Sequence, residues 1–151
     1  MAITKVTRHN TPAFMAYISS DSAMTQNVYT KIAYNSELYD ADGCYDASTN
    51  YRFLPTTAGK YFLSATAKQA TNDSGNAMII SIYENGSSIY QYKNVSYNTT
   101  SQSISVQTSV VVDADGSNDY YEVFLYQNSG TRQITNDDTY DSHFLGYKLI
   151  T

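Results

Sequence analysis

The sequence predicts an all-β fold, and three observations lead to this prediction. Ser (18), Thr (17) and Asn (12) together make up 47 of the 151 residues, and there are 16 tyrosines. Tyr, Val, Ile, Thr and Phe favour the pleated surface of a strand, whereas Asn, Ser, Asp and Gly favour turns. Apolar residues alternate with period two between turn clusters, and no amphipathic helix of ordinary length is visible.

The first half of the chain divides into short strands separated by turn residues. Alternate apolar residues from Phe14 to Ile18 predict the first strand, and residues 28–34 predict a second. Residues 39–43 predict a turn, because Asp, Ala and Gly are concentrated there. Tyr51 and Phe53 open a strand that ends at a proline, and another strand then runs through 61–67.

The second half contains the clearest local signals. Asn85-Gly86 predicts a two-residue hairpin between strands 78–83 and 88–92, because both residues tolerate a positive φ. The strongest alternation runs over residues 104–112. Further strands are predicted at 121–126 and 144–150, which brings the total to eight to ten and indicates a β-sandwich or barrel.

Length and charge restrict the classes of function. A chain of 151 residues fits one domain, which we place at residues 13–151 after an N-terminal arm at residues 1–12. The net charge of −5 makes nucleic acid and anionic membranes poor partners, and no apolar run is long enough to insert into a membrane. No secretory signal is visible at the N-terminus.

The spacing of aromatic, Asp, Pro and Gly residues between the second strand and residue 67 resembles that of a known family. The pattern resembles the globular head of complement C1q and the wider C1q/tumour-necrosis-factor-like superfamily. The end of the chain resembles the last strand of that family, although Lys148 stands where an apolar residue is usual. The matching residues are Asn35, Tyr45, Asp46, Phe53, Pro55, Gly59 and Tyr61, followed by Phe144, Gly146, Tyr147 and Leu149.

The resemblance implies a ten-strand jelly-roll sandwich that assembles as a homotrimer. Large side chains on both faces of the strand at 120–126 agree with this, because one face would meet the core and the other a neighbouring copy. Tyrosine also tolerates exposure, so the same pattern fits a solvent-facing surface. The candidate trimer-interface residues are Tyr120, Phe124, Tyr126, Tyr147 and Leu149.

A domain of this kind, rich in Tyr, Ser, Thr and Asn, resembles the modules of phage virion proteins. We therefore expect a trimeric capsid decoration or knob protein on the exterior of the head, with the major capsid protein or another virion protein as its partner. Ile3, Val6 and Pro12 of the arm are the candidate capsid anchor. The alternative is the receptor- or carbohydrate-binding tip of a phage head or tail fibre. In that case the tyrosines at 90, 92 and 97 would form a glycan-stacking or protein-binding patch, although they fit a core or interface equally well.

The sequence contains few groups that could carry catalysis, so we expect no enzyme. His9, His143 and Cys44 have no nucleophile or metal motif around them, and Cys44 is expected to be a small buried residue. No cofactor is expected, and calcium is the one candidate ligand. Its oxygen donors would come from Asp113, Asp115 and Asp119, and a weaker acidic cluster lies at 137–141.

Overall fold

The computed structural model describes residues 11–72, 77–95, 102–130, 132–136 and 140–149. These residues form thirteen β-strands and contain no helix. Strands β3, β5 and β6 have two residues each, so the structure divides the sandwich into more segments than the eight to ten expected. The strands are β1 (Ala13–Tyr17), β2 (Ser22–Met24), β3 (Thr30–Lys31), β4 (Ser36–Asp40), β5 (Tyr45–Asp46), β6 (Arg52–Phe53), β7 (Gly59–Asn72), β8 (Ala77–Glu84), β9 (Ser87–Val95), β10 (Gln102–Ala114), β11 (Tyr121–Gln127), β12 (Arg132–Ile134) and β13 (His143–Lys148).

The strands form two antiparallel sheets, which confirms the predicted sandwich. Sheet A has the order β2-β12-β7-β13-β1-β4, with β10 paired along β7. Sheet B has the order β5-β6-β11-β8-β9, with β3 paired to β11. Strands β9 and β10 are therefore the edge strands of the two sheets on the same side of the molecule, and they contact each other. No helix among the described residues could span a membrane.

The core lies between the sheets and contains a cluster of stacked aromatic rings. The ring of Phe14 lies 4.5 Å from that of Phe53 and 4.9 Å from those of Tyr45 and Phe144. Apart from Phe14, these are residues on which the family resemblance depends. Each ring pair in this geometry adds about 0.5–1.5 kcal/mol to the energy of burial. Three of the residues that carry the family resemblance therefore pack in one cluster around Phe14.

Two glycines are required by the backbone of this sandwich. Gly86, with a φ of +80°, follows Asn85, with a φ of +51°, in the two-residue turn between β8 and β9, which confirms the predicted hairpin. Gly146 lies in β13 where a Cβ atom would be 2.6 Å from the Cδ2 of Leu63 and 2.8 Å from the Cε1 of Phe14. A side chain at this position would therefore displace Leu63 and Phe14 in the core.

The turn predicted at 39–43 is present only in part, because residues 39 and 40 end a strand and residues 41–43 form a bend. Ser36–Asp40 forms β4, which pairs with β1 and places Leu38 and Tyr39 at the surface. Its side chains do not alternate between buried and exposed, so its sequence lacks the pattern of a half-buried strand. Backbone pairing with the edge of sheet A decides its conformation instead. The strand predicted at 28–34 is shorter than expected, because only Thr30–Lys31 forms a strand, although Ile32 and Tyr34 are buried and Ile32 donates its N–H to the carbonyl oxygen of Val123.

Candidate functional site: two outward faces and an open edge

The outward face of sheet A carries an apolar row that crosses four strands. Backbone pairing aligns Ala13 of β1 with Tyr147 of β13, Tyr147 with Phe62 of β7, and Phe62 with Val111 of β10. The rings of Phe62 and Tyr147 lie 5.4 Å apart. Val111 ends the row and is 54% exposed, the most exposed of the large hydrophobic residues described. This row leaves apolar surface in contact with water.

The next rows on this face become progressively more polar. Met15 of β1 aligns with Leu145 of β13 and then with Ser64 of β7. One step further along, Tyr17 aligns with His143, whose ring Nδ1 lies 2.7 Å from the carbonyl oxygen of Tyr140. The apolar row is therefore bounded on this side by polar residues, where His143 has a backbone partner. On its other side it is bounded by the exposed ion pair between Lys60 of β7 and Asp113 of β10.

On the outward face of sheet B, a buried charged group has its partner within the same chain. Glu122 is buried on this face, and its Oε1 lies 2.6 Å from the Nζ of Lys31. The rings of Tyr83 and Phe124 pack at a tilt with centroids 4.2 Å apart, and the ring of Tyr126 lies 5.3 Å from that of Tyr29. The aromatic residues of this face therefore pack mainly on one another and on the ion pair.

The five candidate interface residues consequently divide between two opposite faces. Tyr147 belongs to sheet A, and Leu149 follows the end of β13 and donates its N–H to the carbonyl oxygen of Lys60, whereas Phe124 and Tyr126 belong to sheet B. Tyr120 lies at one end of sheet B, where the guanidinium of Arg52 is 4.5 Å from the centre of its ring. The sequence could not separate the two groups, because the alternation within a strand does not specify which sheet the strand joins.

The edge between β9 and β10 forms a groove made of two adjoining hollows of about 320 and 370 Å³. Tyr92 and Gln107 line both hollows. Tyr90 and Tyr92 are each 49% exposed, so the patch that the sequence left open between core and surface lies at the surface. The side-chain amide of Asn94 donates a hydrogen bond of 3.3 Å across the groove to the carbonyl oxygen of Ser105.

The acidic loop after β10 is closed by its own hydrogen bonds. The carboxylate of Asp115 accepts backbone N–H groups from Ser117, Asn118 and Asp119, and these bonds hold its pKa well below the usual range. Asp119 accepts the N–H of Asp115 at 2.8 Å, while Asp113 pairs with Lys60 at 3.0 Å. Among the described residues, no group of three or more His, Cys, Asp or Glu side chains converges as a metal site.

The remaining candidate residues lie apart from one another. Cys44 is buried, as expected, and its sulfur lies 3.7 Å from the hydroxyl of Thr56. Pro12 is buried, and its carbonyl oxygen accepts the N–H of Lys148, which fixes the point where the arm meets the domain. Ile3, Val6, His9 and Tyr97 lie outside the described residues, as do residues 137 and 138 of the second acidic cluster.

Comparison with known proteins establishes the fold. No model of a known protein family matches the sequence, and no curated protein sequence matches it. Three solved structures are similar to this chain over 91–92% of its length. The globular domain of zebrafish complement 1qA has a TM-score of 0.64 at 17% identity and is covered over 98% of its own chain.

The other two structures come from the tumour-necrosis-factor group. Eiger TNF from S. frugiperda has a TM-score of 0.60 at 12% identity, with 90% of its chain covered. Murine APRIL has a TM-score of 0.64 at 10% identity, with 98% of its chain covered. The chain therefore has the C1q/TNF-like jelly-roll fold. This confirms the fold that the sequence resemblance implied.

Proposed function

We propose that this chain is a non-enzymatic structural protein that assembles as a homotrimer through the outward face of sheet A. The observation that carries the proposal is the apolar row that ends at Val111. Exposed apolar rows of this kind mark contact surfaces in soluble proteins. The family resemblance supports three copies, because it implies a homotrimeric jelly roll. Since a three-fold ring is built from heterologous contacts, this face packs on a different surface of the next copy.

The association is tested with two matched valine variants. Val111 and Val28 are 54% and 49% exposed, so a charge at either position leaves the core of the subunit intact. Three copies of the 16.8 kDa chain give about 50 kDa, which light scattering after gel filtration measures directly. We expect the wild type and Val28→Glu to have this mass and Val111→Glu to have the mass of one chain. A monomeric wild type, or equal masses for the two variants, contradicts the proposal.

The trimer decorates the exterior of a phage head, where residues 1–12 anchor it to the major capsid protein. The net charge of −5 on each copy supports an exterior position, because negatively charged DNA fills the interior. The test adds purified full-length protein, or protein lacking residues 1–12, to capsids that lack it. We expect only the full-length protein to attach. Attachment of both contradicts the anchor, and absence of the chain from purified particles contradicts the virion role.

A second candidate function is attachment to a glycan on the host surface, as the tip of a head or tail fibre. The observation that favours it is the pair of exposed rings at Tyr90 and Tyr92 beside the groove. Aromatic faces that are held on a rigid strand stack on sugar rings at a small entropic cost. This candidate and the decoration role are compatible, because a protein on the outside of a virion is also positioned to contact the host cell.

A further inference from the structure

His143 lies on the outward face of sheet A, two rows away from the apolar row that carries the proposed association. Backbone pairing aligns it with Tyr17 of β1 and Thr66 of β7. Residues on one face of a strand recur about every 7 Å, so His143 lies roughly 14 Å from Tyr147. A contact of standard size buries about 800 Å² on each copy, which corresponds to a patch of about 16 Å in radius. A second copy that covers the apolar row therefore also reaches His143.

The imidazole ring of His143 is held by one hydrogen bond. Its Nδ1 lies 2.7 Å from the carbonyl oxygen of Tyr140, and because a carbonyl oxygen can only accept, Nδ1 carries the proton in the neutral ring. The ring of Tyr140 packs on that of Tyr17 with centroids 4.8 Å apart. The Nε2 of His143 then has a free lone pair, and it has no hydrogen bond to any part of the chain that the structure describes. Nε2 is therefore the atom that is left for a partner.

Protonation of this ring changes one atom in its surroundings. An imidazolium donates from both nitrogens, so the bond from Nδ1 to the carbonyl oxygen of Tyr140 persists. Nε2 changes from a neutral acceptor into a charged donor. His143 is half-buried in the single chain, so water still hydrates the charge there. We therefore expect protonation to leave the subunit folded and to act on the surface that covers Nε2.

Among the described residues of this face, no carboxylate is available to pair with a protonated His143. Lys68, on the same face of β7, pairs with Asp141 at 2.7 Å, so these two charges offset each other. Glu37 of β4 is aligned with Ala16, whose side chain faces the core, so Glu37 does not point into this face. The other residues around His143 are neutral, and they are Tyr17, Thr66, Tyr140 and Leu145, with Ser36 and Gln107 one strand further out. An imidazolium covered by a second copy would therefore be a buried charge without a partner from its own chain.

We propose that protonation of His143 dissociates the homotrimer, so that the assembly is stable at neutral pH and separates at about pH 5. A covered polar group that is neutral costs little free energy if it finds a hydrogen bond, whereas a covered charge without a partner is strongly unfavourable. Histidine ordinarily takes up its proton at about pH 6.5, and His143 and His9 are the two histidines of the chain. The inference rests on the proposed function, because it requires the outward face of sheet A to be a contact between copies.

The test measures the mass by light scattering at about pH 8 and about pH 5, the limits between which histidine titrates. The wild type should have the mass of three 16.8 kDa chains, about 50 kDa, at the higher pH and the mass of one chain at the lower pH. Circular dichroism should show intact sheets at both pH values, which separates dissociation from unfolding. Because three copies each take up one proton, the dissociation constant of the trimer should rise by up to about a thousandfold for each pH unit below about 6.5.

Three variants assign the effect to one residue. His143→Gln keeps an amide donor and acceptor but takes up no proton in this range, so it should stay trimeric at both pH values. His9→Gln is the matched control, because it removes the other histidine, and it should dissociate as the wild type does. His143→Arg places a permanent charge at the same position and should be a single folded chain even at about pH 8.

The possible results distinguish the proposed switch from the association itself. If the wild type is a single chain at the higher pH, both the association and the role of His143 fail. If the wild type stays trimeric at the lower pH, or if His143→Gln dissociates as the wild type does, the association stands and the role of His143 is overturned. Loss of the pH dependence in His9→Gln alone would place the effect in the arm and would also overturn the proposal.

Discussion

The outward faces of the two sheets show how similar sequence patterns lead to different surfaces. On sheet B, Tyr83 packs on Phe124 and the buried carboxylate of Glu122 pairs with Lys31, so the buried charge of this face has its partner within one copy. On sheet A, Phe62 and Tyr147 pack on each other but the row continues to an exposed Val111. A face that covers its own polar groups stabilises the subunit, whereas a face that ends in exposed apolar residues is available to a partner.

The largest expected effect is unfolding of both sheets, caused by ionisation of tyrosines in the core between them. Burial raises the pKa of Tyr61 to about 12, and it also raises the pKa values of Tyr34, Tyr45 and Tyr121. The folded protein therefore favours the neutral phenols. Their contribution to stability is complete below pH 10, the ordinary value, and decreases as the pH rises from 10 through 12.

We expect the protein to unfold over this range of pH. Circular dichroism should report loss of the sheets as the pH approaches 12, together with the late part of the rise in tyrosinate absorbance. Ionisation of all 16 tyrosines before any loss of the sheet signal would contradict the protection of the core.

The next largest effect is expected when the ion pair on the outward face of sheet B is broken. Lys31→Met removes the ammonium group that pairs with the buried carboxylate of Glu122. We expect a loss of about 2–3 kcal/mol in the free energy of unfolding, less than for a fully buried pair because Lys31 is partly exposed. Urea unfolding measures the change.

Lys60→Met is the matched control, because the side chains of Lys60 and Asp113 are both exposed in their ion pair. Exposed pairs contribute about 0–1 kcal/mol, so this variant should unfold almost as the wild type does. Equal losses in the two lysine variants would show that the buried carboxylate on sheet B does not depend on its partner.

A smaller effect is expected when one tyrosine ring is removed from the outward face of either sheet. Tyr83 on sheet B and Tyr147 on sheet A are both half-buried and each stacks on a phenylalanine. We expect Tyr83→Ser to lower the stability of the subunit by about 1–2 kcal/mol without changing the oligomeric state. Tyr147→Ser should instead weaken association, so that its melting temperature depends more steeply on protein concentration. If the melting temperature depended on protein concentration in the same way in both variants, the assignment of association to the face of sheet A would be contradicted.

The smallest effect is expected away from both faces, in the acidic loop. Because three backbone N–H groups lower the pKa of Asp115, its stabilising contribution is present above the ordinary value and decreases with acidification. Asp115→Asn should therefore cause a slight loss of thermal stability at neutral pH and none in strong acid. We expect added calcium to leave the melting temperature of the wild type unchanged. A rise with calcium that Asp115→Asn abolishes would instead establish the predicted metal site.

Local signals in the sequence predicted local structure well. The Asn85-Gly86 hairpin and the alternation along β10 are both present as expected, because each depends on neighbouring residues alone. The strand at Ser36–Asp40 was missed because pairing with β1 forms it without a periodic apolar pattern. A buried network in which Gln127 pairs with Met24, Ser129 and Gly130 was also missed, since glutamine in a sequence usually indicates a surface.

The site was predicted only in part. Tyr90 and Tyr92 were identified as one patch because they are two residues apart on a strand. The groove depends in addition on Gln107, which reaches it only because β9 and β10 are the neighbouring edges of different sheets.

The amino-acid order alone determined that this chain forms strands and where its tight turns lie. Those properties depend on steric preferences and on a periodicity of two, which act over a few residues. The three-dimensional structure decided which sheet each strand joins, and hence that Tyr147 and Phe124 lie on opposite sides. Sheet membership is a long-range property, because it depends on hydrogen bonds between strands far apart in the chain.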